Sequence, residues 1–262
     1  MTERDLHYPD QFIAALQAIW GDGFLSPGGP AEIATMMGTT RLDGMSVLDI
    51  GCGVGGIDLI LVEEYGADHV TAIDVEPQLV DHAANRVSAA NLGSRIAVQL
   101  VEPGPLPFDA DSFDAVFSKD AMLHIPDKAS LYTDLLRVLR PGGRLIASDW
   151  LRGGPEDGPV PAVLEEWGRK TGLTADFATP SMTKRALEEA GFQDVRVRDR
   201  NEWYAGELRK EELQVTGPGF QQLEATIGME AAIQRHQSFE IRKQAVAEGA
   251  LRPCHLYGVK PT

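Results

Sequence analysis

The run Val47–Gly56, VLDIGCGVGG, limits the fold of this chain more than any other segment. An apolar strand-like stretch ends at Gly51, Gly53, Gly55 and Gly56, and an apolar helical pattern then continues to Tyr65. Glycines admit positive φ and let a bound molecule approach the backbone closely. Exposed N–H groups at the start of the helix favour an anionic group. A strand, a tight turn and a helix in this order are the opening unit of a parallel sheet with helices on its faces.

The segments that follow keep the alternation. Strands are predicted at Ser46–Ile50, His69–Asp74, Arg95–Val101, Phe113–Ser118 and Gly143–Asp149, with helices at Gly55–Tyr65, Gln78–Ala90 and Asp127–Leu139. The pattern predicts an α/β, doubly wound, mostly parallel sheet. Ahead of it, Tyr8–Trp20 carries Phe12, Ala15, Leu16 and Ile19 on one helical face, and Phe24–Gly29 reads as a turn. Beyond it, Pro161–Lys170 and Ser181–Ala190 read as helices, Asp194–Asp199 as a strand and His255–Lys260 as the last strand. Residues 207–248 hold two amphipathic helical stretches. The expected plan is one domain over 1–262. Residues 1–44 form a helical lid, 45–206 the core, 207–248 a helical cap insertion and 249–262 the final strand, which runs antiparallel.

Charge and composition narrow the partners. A net charge of −15 over 262 residues argues against a nucleic-acid or anionic-membrane partner, either of which wants a basic face. No apolar run reaches the roughly 20 residues of a spanning helix, and the start, MTERDLHYPDQ, lacks a signal-peptide core. The expectation is a cytoplasmic protein with a small-molecule substrate. Cys52 and Cys254 are too few for a disulfide framework and lack zinc spacing, so no metal site is expected. The oligomeric state is not legible.

Asp49 precedes the glycine turn and Asp74 ends the next strand, twenty-three residues after Gly51. Gly51, Gly53 and Gly56 also satisfy a dinucleotide fingerprint, which alone is a weak signal. A carboxylate at Asp49 would be unfavourable beside a pyrophosphate and useful beside an ammonium. Together with FDAVFS at 113–118 and LRPGG at 139–143, the turn resembles the S-adenosylmethionine (SAM)-dependent class I methyltransferases. That resemblance implies a Rossmann-like methyltransferase sheet, with SAM as cofactor and S-adenosylhomocysteine as product. It also implies a cofactor edge built from Asp49, Gly51, Gly53, Asp74, Val75, Glu102 and Pro103, with Asp74 on the ribose and Glu102 on the adenine amino group.

Ser118–Ile125, SKDAMLHI, follows the fourth strand at the carboxyl edge, where ligands bind. Asp120 and His124 lie four apart and share a face if the segment is helical. His7, His69, His82, His236 and His255 read as core or surface residues. With Tyr8, the Ser26-Pro27-Gly28-Gly29 turn, Lys119, Asp120 and His124, the chain resembles the phosphoethanolamine (phosphobase) N-methyltransferases. The resemblance runs from Tyr8 to about Trp150. It implies that Tyr8 and His124 pair over the substrate and help remove a proton, and that Asp120 holds its amino group. It places Ser26 and Lys119 on the cofactor. The expected reaction is methylation of a small polar acceptor, with the amine of phosphoethanolamine or a related amine as the foremost choice.

The phosphate-binding half departs from that family. Trp150 stands where its members carry a Tyr, and Thr171 follows Arg169 where a Tyr is expected. Arg169 and Lys243 are the basic candidates for a phosphate. Trp150 and Tyr204, with Trp167 and Trp203, form either an aromatic pocket for a methylated cation or core. The alternatives are an O-, S- or C-methyltransferase acting on another small metabolite, a SAM-binding protein without transfer activity, and a nicotinamide oxidoreductase.

Overall fold

A computed structural model of the protein describes residues 8–172 and 175–262, so His7 lies outside the described residues. One seven-stranded sheet is built from β1 (Ser46–Ile50), β2 (His69–Asp74), β3 (Ile96–Leu100), β4 (Phe113–Lys119), β5 (Leu139–Arg152), β6 (Gln193–Asp199) and β7 (Leu251–Val259), in the order β3-β2-β1-β4-β5-β7-β6. The pairs from β3 to β5 are parallel, and β7 runs antiparallel between β5 and β6. The central strands are covered on both faces, which is why β1 and β4 are buried at successive residues rather than at alternate ones.

Register brings the strand ends together. Ile50 pairs with Ser118, Asp74 with Leu100 and Lys119 with Ser148. The glycine turn, Asp74 and the segment after β4 therefore emerge along one edge of the sheet. Helices α3 (Gly56–Glu63), α4 (Pro77–Ala89) and α5 (Lys128–Val138) make the crossovers, and α6 (Ala162–Thr171) and α7 (Pro180–Ala190) follow β5.

Ahead of the sheet are the N-terminal helices, α1 (Asp10–Trp20) and, after the turn that begins at Phe24, α2 (Gly29–Met37). Its start is glycine- and proline-rich, but Pro30 sits in the first helical turn, where its missing N–H costs nothing. Ile33, Met36 and Met37 are buried beneath it. Between β6 and β7 stand three helices rather than two, α8 (Asn201–Val215), α9 (Gly217–Ile227) and α10 (Met229–Ala247). The segment thus begins before residue 207 and includes Tyr204.

Charged groups hold these outer helices to the rest. Arg200, just before α8, forks onto Glu32 of α2 at 3.1 and 2.7 Å, and Glu32 also meets His255 of β7 at 2.6 Å. Within the three-helix segment, Arg242 of α10 bonds both oxygens of Glu211 of α8 and the Tyr204 hydroxyl. Gln11 of α1 donates to the Ile227 carbonyl at 2.7 Å. Among the described residues no helix is long and apolar enough to cross a membrane.

Glu211 and Arg242 are both buried, so Glu211→Ala leaves an uncompensated cation and should cost about 3–5 kcal/mol. Lys243→Ala, at an exposed pair with Glu212, should leave the stability nearly unchanged. Urea denaturation of the two variants checks the contrast.

Candidate active site

The glycine turn is a cradle that side chains would fill. Gly51 has φ +74°, and a Cβ there would come within 2.3 Å of the Ala121 Cβ. A Cβ on Gly56 would meet the Gly23 carbonyl oxygen at 2.3 Å, so the turn after α1 packs directly on the turn after β1. Asp74 closes the cradle, accepting from Gly53 N at 3.0 Å and Glu76 N at 3.1 Å. Burial pushes its carboxyl up to about 6 against the pull of those amides.

Beside Asp74, Val75 is 41% exposed, and Leu100, the partner of Asp74 across β2 and β3, is 48% exposed. They form an apolar ledge flanked by the exposed Glu102 and Pro103. A turn bare of side chains, an acid at a strand end and an exposed apolar ledge suit an adenosine bearing an amino-acid tail.

Asp49 is not on this surface. Both of its oxygens are fully buried without a hydrogen-bond partner, as are those of Asp58 on α3. Burial, then the charge of Asp58, push Asp49 well up, so it tends to hold its proton. The side chain is buried against Asp58 of α3 rather than open to the cleft, where it was expected to meet a cofactor ammonium.

Lys119 also differs from its expected role. Its buried ammonium donates to Ser26 Oγ at 2.6 Å, the Pro27 carbonyl at 3.0 Å and Asp120 Oδ2 at 2.7 Å. All three donors are used inside the protein, leaving none for a cofactor. Ser26 is drawn into the same cluster. Asp120 has φ +56° and precedes the short 3₁₀ turn Met122–His124, so it is not helical and does not share a helical face with His124. Its other oxygen accepts from Ser148 Oγ at 2.7 Å. Burial raises the Asp120 carboxyl, but the charge and hydrogen bond of Lys119, aided by Ser148 and Ser26, outweigh it and hold the group below the usual range. Asp120 is an ionised carboxylate in a nearly dry place.

A cavity of ≈ 10 Å³, about the size of one water, lies against Asp120, Ser148, Trp150, Trp203, Tyr204 and His255. Trp150 packs on Trp167 with centroids 5.5 Å apart and on Tyr204 at 5.6 Å. These rings are largely core, and Trp150 and Tyr204 also reach the cavity wall. His255 proves to be part of that wall, an involvement which its position in an apolar strand did not signal. His124 is half-buried on the 3₁₀ turn, its N–H donating to the Ala121 carbonyl at 3.2 Å.

Tyr8 packs edge-on against Phe12 at 5.5 Å and beside Val54 and Leu79. Burial, then the charges of Asp74 and Glu76, raise its phenol far above the ordinary range. Tyr8 therefore stays a neutral phenol and cannot itself take up a proton as a phenolate.

The expected basic residues are on the surface. Arg169 is 70% exposed near Glu166, and Lys243 is bonded to Glu212 at 2.5 Å. Arg235 is the cation that the sequence reading missed. It is 6% exposed on α10, lies 4.4 Å over the Phe12 ring, and makes no ion pair or hydrogen bond among the described residues. Burial, then repulsion from Arg242, lower it to about 10. Its spacing of seven from Arg242, two turns along the same helix face, is the signal that was available.

Comparison with known proteins agrees with this geometry. Residues 47–143 match the family described as "Methyltransferase domain". Phosphoethanolamine N-methyltransferase 1 of Arabidopsis thaliana is 29% identical over 208 residues, covering 79% of this chain and 41% of that one. The 2-methyl-6-phytyl-1,4-hydroquinone methyltransferase of Synechocystis is 42% identical over 164 residues, 59% of this chain and 48% of its own. The chain thus spans less than half the length of either relative. Phosphoethanolamine N-methyltransferase 2 of Haemonchus contortus, solved with phosphomonomethylethanolamine and S-adenosylhomocysteine, superposes with a TM-score of 0.88 at 23% identity, over 100% of this chain and 61% of that one.

Sheet order and glycine cradle, with the match over residues 47–143, show a methyltransferase domain similar to those of the class I, S-adenosylmethionine-dependent enzymes. Within that class the chain resembles the phosphoethanolamine N-methyltransferases.

Gly51→Ala must leave its positive φ or displace Ala121. Strain of about 1–2 kcal/mol plus overpacking should weaken SAM binding at least tenfold. Calorimetric titration measures it.

Proposed function

We propose that this protein transfers a methyl group from SAM to the amine nitrogen of a small acceptor that also carries an anionic group, with phosphoethanolamine or a related phosphobase as the foremost choice. The reading rests chiefly on one observation, the largely buried Asp120 paired with Lys119 and Ser148, whose next residue, Ala121, abuts the glycine cradle. When bound, SAM supplies an electrophilic methyl on a sulfonium. Asp74, the glycine turn, the ledge of Val75 and Leu100, and Glu102 and Pro103 are the residues that would hold it.

In-line displacement needs alignment more than covalent help. An ammonium has no lone pair, so the acceptor nitrogen must first lose a proton. His124 takes it, its ordinary pKa being close to neutrality. Tyr8, kept neutral, orients the nitrogen by hydrogen bonding. Asp120 accepts an N–H from the acceptor, and because Lys119 balances its charge it does not hold the acceptor as an ammonium. Arg235 faces the acceptor's anionic end.

A second reading, transfer to an oxygen, sulfur or carbon nucleophile, is favoured by Trp150 and by the surface positions of Arg169 and Lys243.

Incubating the protein with SAM and a panel of phosphobases, free amines and phenolic acceptors, with products identified by mass, tests the choice. No S-adenosylhomocysteine from any amine overturns the first reading. His124→Ala should lower kcat on the preferred amine by about 10²–10⁴. The wild-type rate should fall as the pH drops below neutrality, and a flat profile from pH 5 to 8 would remove His124 as the base. Arg235→Met removes a buried cation without an ion pair, so it should raise the Tm while increasing KM for phosphorylated amines about tenfold or more. Free amines should be little affected.

A further inference from the structure

The turn that carries His124 is held by groups from outside the turn. Asp149 Oδ1 accepts from Leu123 N at 3.0 Å and from Trp150 N at 3.1 Å. Lys128 Nζ donates to the carbonyls of Met122, at 2.9 Å, and Ile125. Asp176 N donates to the Leu123 carbonyl at 2.8 Å. A three-residue 3₁₀ turn has little stability of its own, so these bonds fix where its side chains stand.

Asp149 is an expensive way to make one such bond. It is fully buried, and its Oδ2 has no hydrogen-bond partner, as is also true of the nearby Tyr132 hydroxyl. Burial pushes the carboxyl up to about 7, the charge of Lys128 pulling it down and that of Asp120 pushing it up. An apolar residue would suit the core between β5, α5 and α7 better, since an unmatched buried carboxyl costs several kcal/mol. Costs of this kind are retained where function needs the geometry. The neighbours of Asp149 on β5 support that view. Ser148 bonds Asp120, and Trp150 lines the cavity beside it. Three consecutive residues of one strand thus reach different parts of the acceptor site, Asp149 from the opposite face of the sheet.

We propose that Asp149, assisted by Lys128, is a positioning residue that sets the His124 turn for proton removal. The proposal rests on the reading of His124 as the base. Asp149→Leu removes the acceptor for Leu123 N, and Lys128→Met removes the donor to the two carbonyls. Asp149→Asn keeps an acceptor oxygen in place and serves as the rescue.

Kinetics and NMR of the His124 imidazole are measured together. Asp149→Leu should lower kcat by ten- to a hundredfold with KM for SAM unchanged, Lys128→Met should do so more weakly, and Asp149→Asn should restore most of the rate. In the His124→Ala background the Leu substitution should cost little more. The His124 ring resonances and their titration should move in Asp149→Leu and in Lys128→Met, and return toward wild type in Asp149→Asn. Ring resonances that stay unchanged in a folded Asp149→Leu or Lys128→Met protein overturn the proposal, as does an equal loss of rate with and without His124. If the resonances move while His124→Ala keeps full activity, the positioning stands and the assignment of His124 as base falls.

Discussion

The buried ammonium of Lys119 joins three parts of the chain that the sheet alone would leave independent. It holds the Ser26-Pro27 turn between α1 and α2, compensates Asp120 at the end of β4, and through Asp120 reaches Ser148 on β5. Desolvating two charges is costly unless their hydrogen bonds are fully satisfied, and here every donor of Lys119 has an acceptor. The consequence is chemical as well as structural. Asp120 stays ionised without a net negative charge in the pocket, and its strained backbone at φ +56° puts Ala121 directly against Gly51. The cofactor cradle and the acceptor segment are therefore in contact, and a shift in one is felt by the other.

The same logic governs the outer helices. The Glu32–Arg200–His255 cluster docks them on β7, and the Glu211–Arg242–Tyr204 cluster ties α8 to α10. Buried ion pairs add little net stability compared with well-packed apolar groups, but breaking one is severe. They fix one arrangement of α2, α8 and α10 over the site. Arg235 is the exception in this set, a buried cation with an aromatic ring beneath it and no carboxylate of its own.

The parallel sheet was legible because its strands are buried on both faces and punctuated by glycine turns, and Asp74 because it ends an apolar strand. The last strand was read too short and the helices before it too few. Leu251–Val259 includes Pro253, and α8 starts where Trp203 and Tyr204 look as much like core strand as helix. In the site, residue type and rough position were legible but side-chain direction was not. Asp49 and Lys119 sit where the family pattern puts them, yet one faces α3 and the other spends its donors internally. Arg235 was missed because a charged residue on an amphipathic helix reads by default as solvated surface. Only tertiary packing reveals that Phe12 and Tyr8 cover it.

These placements bear on the acceptor through charge balance. Lys119 and Asp120 cancel, and so do Arg242 and Glu211. The neutral Tyr8 adds nothing, which leaves Arg235 as the uncompensated charge among these groups. A low-dielectric pocket with one excess positive charge disfavours a purely cationic guest and favours one whose anionic group replaces the missing partner. Under the proposed reading, a free ethanolamine-like cation meets repulsion there, whereas a phosphorylated or carboxylated amine brings its own compensation. The surface positions of Arg169 and Lys243 then do not argue against an anionic acceptor. Under that reading Arg235, buried on α10, takes the role expected of Arg169 and Lys243.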